Sequence, residues 1–183
     1  TYHNFELIII DDCSTDNTFK ILSSYSDSRI KLFKNEKNMR HVKTFGKAMG
    51  LAQNELVMLV DQDDIWSENR VTIFKQTFIE NPKIELITSN FYCIDGQGNA
   101  IDNTLSKVSP EDSEKYKKNI KSIFLGKIGY FGCTMAFKKE LLTIILPIPN
   151  YIEAHDLWIA MIANVRRTNF HIRDKTLYHR MHG

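Results

Sequence analysis

Cysteine is scarce in this 183-residue chain: Cys13, Cys93 and Cys133 stand far apart, and no C-x-x-C pair occurs. That scarcity excludes a disulfide-stapled fold and a cysteine-rich zinc module, and it fits a reducing, cytoplasmic setting. Long apolar runs are missing too. The best candidate, LLTIILPIP, is broken by Pro147 and Pro149, so no stretch is long enough to span a bilayer as a helix. Neither sign of charge dominates, since the formal net charge is +2. Lysines and arginines are scattered, apart from short clusters such as KYKKNIK (115–121), which reads as the solvated face of a helix. Nothing therefore points to nucleic acid. No signal peptide, internal repeat or low-complexity tract is visible. Thr1, not Met, opens the chain and leads straight into a strand, so the expectation is a piece whose N-terminus lies upstream.

What is present is ordinary globular composition, with 43% hydrophobic and 25% charged residues, and a length that suits one domain with a substantial core. The pattern alternates between strand and helix. FELIII (5–10) reads as a buried strand, followed by a helix over about 15–26 that Ser14 or Thr15 would cap, with Phe19 and Leu22 inward. RIKLFKN (29–35) is a second strand, and Val42, Phe45 and Met49 share one face of the next helix. ELVMLV (55–60) is a third strand, and Ser67 would cap a helix with the stripe Val71, Phe74 and Phe78. IELITSNFYCID (84–95) follows, closed by DGQGN. Residues 102–118 are polar and read as a long mobile loop. YFGCTMAF (130–137) reads as a strand and KKELL as a short helix. In EAHDLWIAMIANV (153–165) the helical stripe is Trp158, Met161, Ile162 and Val165, and FHIRD and TLYHRMH close the chain as strand or loop. This alternation predicts an α/β fold with a largely parallel central sheet flanked by helices.

Two acidic groups fall where strands end. LVDQDDIW (59–66) crowds Asp61, Asp63 and Asp64 into four positions after an apolar run. Two carboxylates about 4 Å apart repel by roughly 4 kcal/mol at an effective dielectric of 20. A bound cation, a basic partner or open solvent must offset that. An Asp-x-Asp at a strand end suits Mg²⁺ or Mn²⁺ shared with a diphosphate, although a turn with a helix cap explains the same residues about as well. IIIDDCSTDNT adds Asp11 and Asp12, where capping accounts for Ser14, Thr15 and Asp16 but poorly for the doubled Asp. Ligands of open α/β sheets gather beyond the carboxyl ends of strands, which is where both groups fall. At the start of the 153–165 helix, Asp156, His155 and Glu153 are competing candidates for a general base, and dipole compensation is the plain alternative for Asp156. His179 and His182 flank Arg180 near the end, where a terminal segment could close over a phosphate.

Taken in order, YHNFELIIIDDCSTDNT, DQDDIW, GCTMAFKKELL, HDLWIAM and YHRMHG resemble family 2 glycosyltransferases of the GT-A fold, most closely the rhamnosyltransferase-like branch. The resemblance runs over nearly the whole chain. It implies a single GT-A domain over 1–183, truncated before its first strand, with a nucleotide-binding half (1–100) and an acceptor-binding half (101–183). It implies inverting transfer of a sugar from a UDP- or dTDP-sugar to an acceptor hydroxyl, assisted by Mg²⁺ or Mn²⁺, in bacterial surface polysaccharide synthesis. Asp11, Asp12, Asn38, Asp61 and Arg180 match positions that bind the nucleotide sugar. Asp63, Asp64 and His182 match the metal-binding region, and Asp156 matches the base. The implied partners are the sugar donor and a saccharide or lipid-linked saccharide acceptor. Contact with the inner face of the cell membrane and a homodimer are also compatible. NMRH in place of the family's N-x-G, the spacing in YHRMH, and HDLW for HDWW depart from the pattern. A sugar-phosphate nucleotidyltransferase is the competing enzyme, but it would need a Gly-rich loop after a first strand. A truncated, non-catalytic nucleotide-binding domain is the competing non-enzyme.

Overall fold

The computed structural model describes residues 2–102, 105 and 107–182. Near the N-terminus, β1 (Leu7–Asp11) and β2 (Ile30–Lys34) pair in parallel, with Leu7 opposite Ile30 and Asp11 opposite Lys34. The crossover between them carries α1 (Thr18–Ser23), and α2 (Arg40–Leu51) follows β2. These strands form a two-stranded sheet of their own. The second sheet has six strands: β3 (Leu56–Met58), β4 (Ile65–Trp66), β5 (Leu86–Ile94), β6 (Ala100–Ile101), β7 (Met135–Lys138) and β8 (Asn169–Arg180). Their order is β3-β7-β5-β8-β4, with β6 beside β5. Helices α3 (Arg70–Glu80), α4 (Tyr116–Phe124), α5 (Leu142–Ile145) and α6 (His155–Arg166) complete the chain.

The α/β architecture stands, but the sheet is mixed rather than mostly parallel. β1–β2 and β5–β8 run parallel, whereas β3–β7, β5–β7, β4–β8 and β5–β6 are antiparallel. One cause is plain at β5–β6. The turn at 95–99 is held by Asp95, whose carboxylate accepts the N–H groups of Gln97 and Asn99. A connection that short allows only a hairpin, because parallel neighbours need a crossover of about a dozen residues or more.

Two apolar layers hold the second sheet. Leu86, Met135 and Phe137 on one layer pack with Ile145, Ile159 and Ala163 from the helices. Phe74 and Phe78 of α3 pack with Ile84, Ile87 and Ala136 on the other. Each fully buried large side chain contributes about 1.5–3 kcal/mol relative to exposure.

Several local expectations change. The buried side of α6 carries His155, Ile159, Ala160, Ala163 and Asn164, while Val165 is 61% exposed, so the stripe lies one position away from that read off Trp158. The small Ala160 and Ala163 let the helix sit close, and large residues flank the contact. Residues 130–137 are not one strand, because a 3₁₀ turn at Gly132–Thr134 precedes β7. Within 102–118, residues 103, 104 and 106 lie outside the described residues, but the rest is no open loop. Val108 joins the main core, Ser113 is buried, and Pro110–Asp112 forms a 3₁₀ turn before α4. α1 is shorter than expected and begins after Asn17, with the Asp16 carboxylate accepting the Thr18 N–H. Ser67 does not cap α3; its hydroxyl donates to the Thr176 carbonyl on β8. The two C-terminal segments form one bulged strand, β8.

Candidate active site

The first acidic group sits at the end of β1. Asp12 accepts from Asn35 Nδ2 at 2.7 Å and from the Met39 N–H at 2.8 Å. Burial alone would raise the Asp12 pKa, but these donors outweigh it and the carboxyl falls below its ordinary range. Lys47 Nζ donates to Asn35 Oδ1 at 2.7 Å, so a lysine, an amide and a carboxylate form a chain. Asp11 is buried: its Oδ2 accepts the Ser14 N–H at 3.3 Å and lies 3.8 Å from Lys34 Nζ, and its Oδ1 has no partner. Asn38, expected at the nucleotide, is exposed and accepts the Arg40 N–H at 3.0 Å, a local cap for the start of α2. Asn35 is the amide that contacts Asp12. Its position at the C-terminal end of β2, next to Asp11 across the parallel pair, was the available signal.

The second group follows β3. Asp64 Oδ1 accepts from His179 Nδ1 at 2.9 Å and from the Arg180 N–H at 3.0 Å. Its side chain is fully buried, and burial pushes the pKa up, yet these donors pull it below the ordinary value. The same contact raises the His179 pKa. Asp61 behaves oppositely: burial first, and then the charge of Asp64, push its carboxyl up. Asp63 Oδ2 contacts His182 Nε2, with the His182 ring largely exposed. Arg180 is clamped to backbone: its Nε donates to the Asp63 carbonyl at 3.0 Å, and its Nη1 to the Asp95 and Gly96 carbonyls at 2.9 and 3.0 Å. The acidic loop is thus tied to the C-terminal end of β8 over more than a hundred residues of sequence.

The third piece is the start of α6. Gly132 is pressed against it so tightly that a Cβ there would meet His155 Nε2 at 3.0 Å and Asp156 Cβ at 3.8 Å. The next residue, Cys133, is buried with its Sγ 3.9 Å from His179 Nδ1. Gly132 and Cys133 therefore join the helix that bears Asp156 to the loop that bears Asp64. On the other side, His155 stacks on Phe45 of α2 at 4.3 Å between centroids, and His41 of α2 contacts the Glu153 carbonyl at 3.1 Å. Since Asp12 holds the Met39 N–H at the head of α2, the circuit from Asp12 through α2, α6, Gly132 and Cys133 to Asp64 is closed. Asp156 itself is half-buried, with Oδ1 accepting the Leu157 N–H at 2.7 Å. Glu153 is exposed. His155 is buried with neither ring nitrogen partnered, and burial lowers its pKa, which favours the neutral ring.

Arg70 was not singled out by sequence reasoning. It is fully buried, donating to Thr176 Oγ1 on β8 and to the Cys133 carbonyl at 2.6 Å, with Trp66 and Phe74 rings 4.6 and 4.7 Å from its Cζ. Burial lowers its pKa to about 10, which leaves it charged at neutral pH. It lies four residues before Phe74, so the α3 stripe extended backward by one turn locates it.

The donor chemistry of the site suits a hard divalent cation at Asp63 and His182 better than at the nearby Asp64, Cys133 and His179. The ligand atoms of the latter three lie within 4.8 Å of one another. Burial, with Asp64 and Asp61 adding, drives the Cys133 thiol pKa far upward, so it stays protonated, and Mg²⁺ and Mn²⁺ prefer oxygen and imidazole to a thiol. Asp63 and His182 are accessible, and Asp61, whose carboxyl is pushed up by burial and by the charges of Asp64 and Asp63, is a group whose ionised form a cation would favour.

Two carboxylate groups and a helix that presents a further Asp meet on an α/β domain of the GT-A type. The chain belongs to glycosyl transferase family 2, whose description its residues 1–145 match. It is 37% identical over 95 residues to an Escherichia coli enzyme named UDP-Glc:alpha-D-GlcNAc-diphosphoundecaprenol beta-1,3-glucosyltransferase WfgD, covering 51% of this chain and 37% of that protein. In fold it is similar to S. aureus TarS in complex with UDP-GlcNAc, with a TM-score of 0.72, 20% identity, and coverage of 98% of this chain and 50% of that one. It is also similar to the mannosyltransferase PcManGT from Pyrobaculum calidifontis in complex with GDP-Man and Mn²⁺, with a TM-score of 0.61, 18% identity, and coverage of 96% and 47%. The chain thus spans half or less of the length of these proteins.

Proposed function

We propose that this chain carries the catalytic site of an inverting glycosyltransferase. It would move a sugar from a nucleoside diphosphate donor to an acceptor hydroxyl on a saccharide, in polysaccharide assembly. The observation that carries the reading is the Gly132–Cys133 junction, which sets the half-buried Asp156 next to the Asp61–Asp64 loop. Residues 1–100 would bind nucleotide. Asp11 and Asp12, the latter fixed by Asn35, would take base and ribose N–H or O–H groups, because a carboxylate offers only acceptors. Residues 101–183 would receive the acceptor.

Asp61, Asp63 and His182 would hold Mg²⁺ or Mn²⁺, which neutralises charge on a departing diphosphate. Arg180, clamped beside them, adds a fixed positive charge. Asp156 accepts the proton of the attacking acceptor hydroxyl as the anomeric bond to the diphosphate breaks on the opposite face of the sugar. His155, stacked on Phe45 of α2, holds the head of α6 against α2. WfgD's name specifies UDP-glucose and a diphosphoundecaprenol-linked acceptor. The same classes, a UDP- or dTDP-sugar and a lipid-linked saccharide, are the first to test here, and the DQDDIW and HDLW stretches put dTDP-rhamnose among the donors.

Asp156→Asn keeps volume and removes basicity. Transfer should fall by about 10²–10⁴ while donor and metal binding stay within a few-fold. Transfer near the parent rate in this variant, with loss in Glu153→Gln, would move the base to Glu153.

A further inference from the structure

Far from the carboxylates, α4 presents a face that its packing does not explain. Lys117, Lys118, Lys121, Phe124 and Leu125 are all exposed, with Phe124 at 78% and Leu125 at 53%. Lys117, Lys121 and Phe124 follow helical i, i+4, i+7 spacing, and Lys118, Lys121 and Leu125 follow i, i+3, i+7, so the lysines and the apolar tip share one side. The opposite side is anchored: Asn119 is buried and Ile123 packs on the main core. From Lys115 through Lys139 the chain has no acidic residue at all. Lys118 pairs with Asp112 at 2.5 Å, while Lys117 and Lys121 have no carboxylate partner among the described residues.

The orientation of this face is set by α6. Asn119 Nδ2 donates to Asn164 Oδ1 at 3.1 Å, which holds the buried side of α4 against α6. The loop that leads into α6 bears Tyr151, 79% exposed.

We infer that the Phe124–Leu125 tip and its lysines form a docking surface for an anionic lipid bilayer. Charge decides the occupant: a helix with an apolar tip and two exposed lysines, Lys117 and Lys121, free of carboxylates among the described residues complements anionic headgroups, with the aromatic and aliphatic side chains entering the acyl boundary. A large exposed Phe beside Leu is otherwise a solubility liability. The inference deepens the proposed use of a lipid-linked acceptor, but docking requires neither donor nor acceptor and is measured without them.

The test is co-sedimentation of the chain with vesicles of phosphatidylcholine alone or with about one third phosphatidylglycerol, at low and high salt. Binding is expected on the anionic vesicles only, weakened by salt. Phe124→Ser with Leu125→Ser should weaken it about tenfold or more. Lys117→Gln and Lys121→Gln should each weaken it about fivefold. Circular dichroism and melting temperature should match the parent, because these side chains are exposed. No anionic-vesicle binding, or binding indifferent to all four substitutions, overturns the inference. So does a dimer that forms through this tip and dissociates in the Phe124→Ser variant without any vesicle binding. Vesicle binding in a chain that transfers no sugar would sink the proposed reaction and leave the docking surface standing.

Discussion

The two sheets support their carboxylates in opposite ways. Among the described residues up to 40, the only buried ones are Asp11 and Asn35, both polar, while the apolar run Leu7–Ile10 is merely half-buried. In the six-stranded sheet, Phe91, Cys93, Cys133 and Leu177 form a buried cluster, and the acidic loop is tied to β8 by His179, Arg180 and, through Thr176 and Cys133, by Arg70. Asp12 is held by residues 23 and 27 positions on, Asn35 and Met39; Asp64 is held by residues more than a hundred positions away. The difference teaches that one acidic group is a local device on a lightly packed unit, whereas the other exists only when the whole sheet is assembled. Ligand contacts made by the first group should be adaptable, and those of the second preset.

The largest expected effect falls on the assembled side. Arg70→Ala opens a cavity and leaves the Cys133 carbonyl without its donor, so stability should drop by about 3–5 kcal/mol in urea unfolding. A loss under 1 kcal/mol would mean that the acidic loop is not held from beneath. Acid should also attack this side first. His171 is kept neutral by burial, with Nδ1 donating to the Ser109 carbonyl at 2.9 Å and Nε2 meeting the Tyr130 hydroxyl at 2.9 Å; His155 is likewise buried and neutral. Both folded pKa values lie below the ordinary 6.5, so the unfolded chain binds the extra protons and stability is lost as pH falls through 6.5; His179, raised by Asp64, works the other way and offsets part of that loss, so two depressed histidines against one raised leave a net loss. The slope is up to about 1.4 kcal/mol per pH unit for each histidine. Unfolding curves that superimpose at pH 7.5 and 5.5 would remove this asymmetry. The smallest stability effect belongs to the local device: Asn35→Ala should cost about 1 kcal/mol yet weaken UDP binding about tenfold by freeing Asp12, as read by calorimetry. Unchanged UDP affinity would separate Asp12 from the nucleotide.

The sequence makes the first half of the fold legible because its signals are local. FELIII, RIKLFKN and ELVMLV become β1, β2 and β3, and the doubled Asp groups do fall at strand ends. What it conceals depends on distant packing. Nothing in YFGCTMAF shows that Gly132 must pass within van der Waals contact of a helix more than twenty residues later, and that contact turns the segment into a 3₁₀ turn. The face of α6 could not be fixed by counting large residues, since Ala160 and Ala163 mark the close approach. The direction of β7 and the pairing of β4 with β8 follow from tertiary register, which alternation alone does not encode. Asn35 and Asn38 look alike in sequence, and only the ends of β1 and β2, brought side by side, distinguish them.

The central claim is that the Asp61–Asp64 loop and the Asp11–Asp12 group act on one ligand, with a cation between protein and diphosphate. The most direct measurement is the melting temperature with Mn²⁺ alone, UDP alone, and both, in the parent and in Asp63→Ala. If the diphosphate supplies ligands that the protein lacks, the combined shift must exceed the sum of the two separate shifts, and Asp63→Ala must abolish the excess. Strictly additive shifts, or an excess that survives Asp63→Ala, would contradict the account.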